Sequence, residues 1–143
     1  MGRRARRGRV NTEALIERER RRIAELLRDW PPDAVESVVD AAFTAWQEPK
    51  LRRKFGWRWN PRLRTTIGRA LLKDGVVELN PLLLARHPGE TRKVVIHEFA
   101  HLVAFRRARR EPAHGPTWRT LMRAAGAPVR ASHTLPVEDL RRH

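Results

Sequence analysis

The chain has 143 residues, 41% of them apolar and 33% charged, which suits one domain with a buried core and excludes an intrinsically disordered chain. It contains no cysteine, so disulfide frameworks, thiolate nucleophiles and cysteine-based zinc sites are excluded, and any metal must be held by His, Asp or Glu. Lys and Arg number 31 against 16 Asp and Glu, a formal charge of +15 that points to polyanionic partners, nucleic acid first among them.

The charge is spread along the chain, with 17 basic and 9 acidic residues in 1–64 and 14 and 7 in 65–143. Only four of the basic residues are Lys, and the planar Arg fork suits bidentate binding of phosphate. Residues 1–10 show no apolar periodicity and read as a flexible basic arm, whose Arg3, Arg4, Arg6 and Arg7 are candidate nucleic-acid contacts. The Arg3-Arg4 pair is followed by polar residues and not by an apolar stretch, so an export signal is not expected. No apolar run approaches the roughly 20 residues of a membrane span, and the expected location is the cytoplasm, with association to the nucleoid.

From residue 12 onward, Leu15, Ile16, Ile23, Leu26, Leu27 and Trp30 recur on one face of a helix that Pro31-Pro32 stops. Asp33 followed by Glu36 has the spacing of a capping box. It opens a second helix with Val35, Val38, Val39, Ala42, Phe43 and Trp46 inward, running up to Pro49. Phe55, Trp57 and Trp59 alternate with Gly56 and Arg58 as in a short strand. Aromatics interleaved with Arg also suit base stacking, so Trp57, Arg58 and Trp59 are either a core strand or a nucleic-acid contact. Residues 65–72 and 76–79 flank Lys73-Asp74-Gly75, a hairpin in which Gly supplies the positive φ of a tight turn. Asn80-Pro81 reads as the N-cap and first turn of a short helix that His87-Pro88-Gly89 ends. A longer helix spans residues 90–107. After an Arg-rich loop, Pro116 starts a last helix with Trp118, Leu121, Met122 and Ala125 inward and Gly126 closing it.

The long helix contains His97-Glu98-Phe99-Ala100-His101. Residues four apart on an α-helix share a face, so His97 and His101 can hold one Zn²⁺ between them. Glu98 sits beside the first ligand, where it can accept a proton from water without binding the metal. Val94, Val95, Phe99, Leu102 and Val103 mark this helix as buried. A catalytic zinc site wants a third protein ligand. His143 is terminal, His87 suits a helix C-terminus and His133 lies in a tail of uncertain course. His114 directly precedes Gly115-Pro116, where a helix–loop–helix return brings it over the first pair.

These residues resemble a known family. His97-Glu98-Phe99-Ala100-His101, then His114-Gly115-Pro116-Thr117-Trp118 and Leu121-Met122, look like the SprT and SprT-like (Spartan-type) zinc metallopeptidase domain. The hairpin Thr65-Thr66-Ile67-Gly68-Arg69-Ala70, with Val77-Glu78-Leu79-Asn80-Pro81-Leu82-Leu83 after it, is similar too, as is Gly126-Ala127-Pro128 with Arg130 and His133. The likeness covers about residues 30 to 135. It implies an α+β, zincin-like domain over residues 11–135, with a short sheet packed against an active-site helix and N-terminal helices, and a tail over 136–143. It also implies one Zn²⁺ on His97, His101 and His114, and Glu98 as acid/base in peptide hydrolysis by a zinc-activated water.

The resemblance further implies a DNA link, since Spartan-type relatives cleave proteins crosslinked to DNA. Bacterial SprT proteins, however, typically carry a cysteine zinc ribbon after the catalytic core, and this chain has no cysteine. DNA would then be gripped by arginines, with Trp57 and Trp59. Many zincins stabilise the oxyanion with Tyr or His; no Tyr is present, which leaves His133 or Arg130 for that role. The competing expectations are a DNA-binding protein with a structural or nearly inactive zinc site, and an interaction module whose arginines meet acidic partners.

Overall fold

A computed structural model describes residues 2–131 and 133, with side chains from residue 11 onward. The chain forms α1 (Gly2–Asp29), α2 (Pro32–Trp46), α3 (Pro49–Lys54), β1 (Gly56–Trp59), β2 (Gly68–Leu71), β3 (Val76–Leu79), α4 (Pro81–Arg86), a 3₁₀ turn (Pro88–Glu90), α5 (Thr91–Arg107) and α6 (Pro116–Ala124). It is a mixed α/β fold with one small sheet. No helix among the described residues is long and apolar enough to cross a membrane.

The sheet order is β1-β3-β2, with β1 parallel and β2 antiparallel to β3. The hairpin between β2 and β3 forms as the sequence predicts, turning at Gly75 with φ +69°. A side chain there would also collide with Phe55, whose ring lies 2.8 Å from the position of a Cβ. Val77 and Leu79 of the central strand are fully buried. Helix α5 packs on β2 and β3, and α2 packs on α5. Phe43 of α2 meets Trp46, Phe55 and Phe99 edge-to-face at 5.0, 6.2 and 5.6 Å, the favoured arrangement of aromatic quadrupoles. Trp46 Nε1 donates to the Leu121 carbonyl at 2.8 Å and ties α2 to α6.

Successive strand residues point to opposite faces, so Glu78 emerges between Val77 and Leu79 on the face away from α5. Its register neighbours are Arg58 on β1 and Arg69 on β2. Both guanidinium groups donate to its carboxylate, at 2.7 and 2.6 Å, and Asn60 adds a third bond at 3.0 Å. Burial raises the Glu78 carboxyl, but the bonds from Asn60, Arg69 and Arg58 outweigh it and take its pKa from 4.5 down to about 2. A carboxylate whose folded pKa is depressed contributes stability that is complete above its unfolded pKa and is lost as pH falls through the folded value. Thermal melts of the wild type and Glu78→Gln should therefore differ most above about pH 4.5 and converge as pH falls toward 2.

Three local expectations are corrected. Helix α1 starts at Gly2, so residues 2–10, read as an arm, continue the helix: Arg and Ala are strong helix formers and Gly8 alone does not stop them. The side chains of Arg3, Arg4, Arg6 and Arg7 lie outside the described residues, as does the tail over 136–143. The apolar face of α1 is only partly buried. Leu26 is inside and Ile23 and Trp30 pack against the core, whereas Leu15 and Ile16 are about half exposed, because α4 is the main element packed on this helix.

The capping box also fails to form. Pro31 is the N-cap and Pro32 the first helical residue, so Asp33 lies inside α2 and caps nothing. Glu36 instead pairs with Arg52, which also donates to Asp40 at 2.7 Å. Beyond it, Gln47 takes a left-handed conformation and Pro49 starts α3, a helix the sequence reading did not anticipate.

Candidate metal centre

The middle of helix α5 is buried nearly all round, with Val94, Val95, Ile96, Phe99, Ala100, Leu102 and Val103 all inside, so it runs through the core. That position fixes the two imidazoles it carries. The expected 3.6-residue geometry brings His97 and His101 to one face, with ring centroids 5.0 Å apart. The chain then turns through residues 108–115 and lays His114 over the pair. Its Nε2 lies 3.1 Å from Nε2 of His101 and 3.3 Å from Nε2 of His97.

A tetrahedral ion with bonds of about 2.0–2.1 Å spaces its ligand atoms about 3.3–3.4 Å apart, close to the distances from His114 to the other two, and all three ligand atoms lie within 4.8 Å of one another. Burial, and then the charges of His133, His101 and His114, push His97 down to a pKa of about 2; burial likewise lowers His101 and His114. All three rings are then neutral at physiological pH, the state a metal requires of imidazole. By donor type and spacing, the trio fits a zinc ion.

Two residues hold this arrangement, and their part was not legible in the sequence. Trp118 of α6 stacks on His101 at 5.5 Å, meets His97 and His114 edge-on at 4.9 and 4.6 Å, and donates from Nε1 to the His97 carbonyl at 3.2 Å. Its helical spacing alone marks it only as an inward core residue. Glu111 accepts from the Thr117 amide at 2.9 Å and the Thr117 hydroxyl at 2.6 Å, which supplies the N-terminus of α6 with an acceptor and closes the loop that bears His114. The loop thus holds His114 through backbone geometry. His101 is held from the same loop by a hydrogen bond to the Ala113 backbone.

Glu98 is buried beside the histidines, one Oε2 lying 4.0 Å from Nε2 of His97. His133 enters from the C-terminal segment, its Nε2 3.5 Å from Oε2 of Glu98 and its ring 4.4 Å from that of His97. His97, Glu98 and His133 are thus a second group close enough to share an ion. The spacing of the all-histidine trio and its uniform donor type make the first group the better zinc site. Arg130 lines a neighbouring hollow with Glu90, Lys93 and Met122, a hollow that His97 and His133 also border.

The cleft over the histidines has a volume of about 290 Å³ and is walled on its other side by residues 65–68. Buried Asn80 pins this wall. Its side-chain oxygen caps α4 by accepting from the Leu82 and Leu83 amides, as predicted, while its nitrogen donates to the carbonyls of Leu63 and Thr66 at 3.1 Å each. Gly68 lies so near α5 that a Cβ would come within 2.7 Å of Val94 Cγ1 and 3.3 Å of Glu98 Cγ. Gly68→Ala is therefore expected to destabilise the fold by about 1–3 kcal/mol in urea unfolding, through overpacking against α5.

Among the described residues, the nucleic-acid candidates do not line this cleft. Trp57, Arg58 and Trp59 are on β1, the sheet edge opposite β2. The two Trp rings meet edge-to-face at 5.8 Å and pack partly against the core, while Arg58 is paired with Glu78.

The profile of the SprT-like family matches residues 35–139, well over half of the chain. A protein of Streptococcus thermophilus named "Protein SprT-like" is 50% identical over 54 residues, covering 33% of this chain and 37% of that protein. "Protein SprT" of Enterobacter sp. is 35% identical over 81 residues, covering 55% of this chain and 49% of that protein, and "Protein SprT" of Escherichia coli matches to the same extent. The chain thus spans half or less of the length of these curated relatives. No solved structure gives a significant match.

Proposed function

The chain belongs to the SprT-like family, and from that membership we propose that it is a zinc-dependent metallopeptidase with a zincin-like site. The observation that carries this reading is the convergence of three imidazole nitrogens beside a buried carboxylate, all facing one open cleft. His97, His101 and His114 would hold the ion. When bound, zinc supplies Lewis acidity that polarises a scissile carbonyl and lowers the pKa of water.

The chain's own groups do the rest. Glu98 takes the proton of the attacking water and returns it to the leaving amine. Its burial keeps the carboxylate in a low-dielectric wall, where its field acts strongly on the reacting atoms. His133, within 3.5 Å of Glu98 and on the same cleft, is better situated than Arg130 to meet the oxyanion. Edge strand β2 has one side of its backbone unpaired in the sheet, so an extended substrate can add to it and cross the cleft.

The substrates in this reading are proteins bound or crosslinked to DNA. The formal charge of +15 supports a DNA partner held through arginine. A purely structural zinc site fits less well, because such sites use four protein ligands and stay closed. Here three histidines face an open cleft. The test is cleavage by the zinc-loaded protein against its Glu98→Gln variant, with DNA present and absent.

A further inference from the structure

We propose that the hollow beside His101 is a subsite that receives one apolar side chain of the protein substrate, close to the bond that is cut. This rests on the peptidase reading and adds what such a peptidase selects. The hollow, about 190 Å³, is walled by Leu72, Ala104, Phe105, Ala108 and Pro112, with His101 as the wall it shares with the cleft. Small-molecule sites occupy roughly 300–1,000 Å³, so this one is sized for a side chain and not for an independent ligand.

Its place follows from helical periodicity. Ala104 and Phe105 repeat His101 at three and four residues, and so continue the face of α5 that bears the histidines, with Ala108 at its C-cap. Strand β2 runs beside this helix, from Gly68 against Glu98 to the hairpin, where Leu72 borders the hollow. A chain added to the β2 edge therefore passes Glu98 and then the hollow. Along α5 the distance from Glu98 is about 5 Å to His101 and about 10 Å to Phe105, at about 1.5 Å per residue. An extended substrate rises about 3.3 Å per residue, which sets the hollow within about one to three residues of the cut.

Most of its wall is aliphatic or aromatic, which decides its chemistry. The Arg109 guanidinium lies over the Phe105 ring at 5.3 Å, and both carboxylate oxygens of Glu111 accept from Thr117. Arg109 stands exposed at the rim, so against the apolar wall inside it a polar substrate group loses water for little return, whereas an apolar one loses nothing.

The test uses zinc-loaded protein and synthetic peptides identical except for one residue, Gly, Asp or Leu, placed at each position in turn. Binding to Glu98→Gln protein is read by titration, and cleavage by the wild type is read as kcat/KM. At one position Leu should be favoured over Gly by about ten-fold or more in both measurements. Ala104→Phe, which fills the hollow, should bring that ratio to about one. Leu72→Asp, at an exposed rim that tolerates substitution, should lower it as well and guards against misfolding of the first variant. Equal binding of Leu and Gly peptides at every position, or a ratio unchanged in both variants, overturns the subsite. Selective binding without cleavage by the wild type would overturn the peptidase reading and leave the subsite standing.

Discussion

Glu98→Gln should lower kcat/KM for peptide cleavage by about 10²–10⁴-fold while the protein keeps its zinc, as measured by metal analysis beside the protease assay. The magnitude is that of general acid–base catalysis by one positioned group. The substitution is nearly isosteric and Glu98 is buried, so packing against β2 at Gly68 is preserved. What is lost is the carboxylate's capacity to take a proton. The metal measurement separates two geometries that both exist in the fold. If the ion is held by His97, His101 and His114, removing the Glu98 charge leaves all three ligand nitrogens in place. If it is held by His97, Glu98 and His133, the variant loses a ligand, and zinc content falls together with activity. Retention of zinc with loss of cleavage is the expected result. Retention of both would remove Glu98 from the mechanism.

The sequence disclosed the parts of this site that follow local periodicity. His97 and His101 share a face because four residues make about one helical turn, and Asn80-Pro81 caps α4 because its acceptor and its missing amide are both local facts. Gly75 turned the hairpin for the same kind of reason. What stayed hidden depends on contacts between distant segments. Trp118 has the inward position of any amphipathic-helix aromatic, and nothing in its spacing tells that its ring is a platform for three histidines. Glu111 reads as one more loop charge until Thr117 folds back onto it. The failed capping box at Asp33 shows the opposite error, a local signal displaced by a stronger one, the two prolines that set the helix start earlier. Leu15 and Ile16 show that an apolar stripe needs a partner before it becomes core; α1 continues past the element that covers it.

His114→Ala should weaken zinc binding by well over 100-fold in competition with a chelator, whereas His133→Ala should leave zinc binding within a few-fold of the wild type. Loss of a group that merely supports a ligand already costs about 10–100-fold, and loss of a ligand costs more. His114 is the member of the trio contributed by a loop, so its removal deletes a donor while the buried helix that carries His97 and His101 stays packed. The apo fold of the variant should accordingly melt close to the apo wild type, which distinguishes a lost ligand from a damaged core. His133 is the counter-case. It touches Glu98 at 3.5 Å and lies against the His97 ring, so its removal should depress turnover more than affinity for zinc, a fall in kcat with metal content maintained. If the two variants exchanged these phenotypes, the metal would belong to the His97–Glu98–His133 group, and Glu98 would be a ligand instead of the proton carrier.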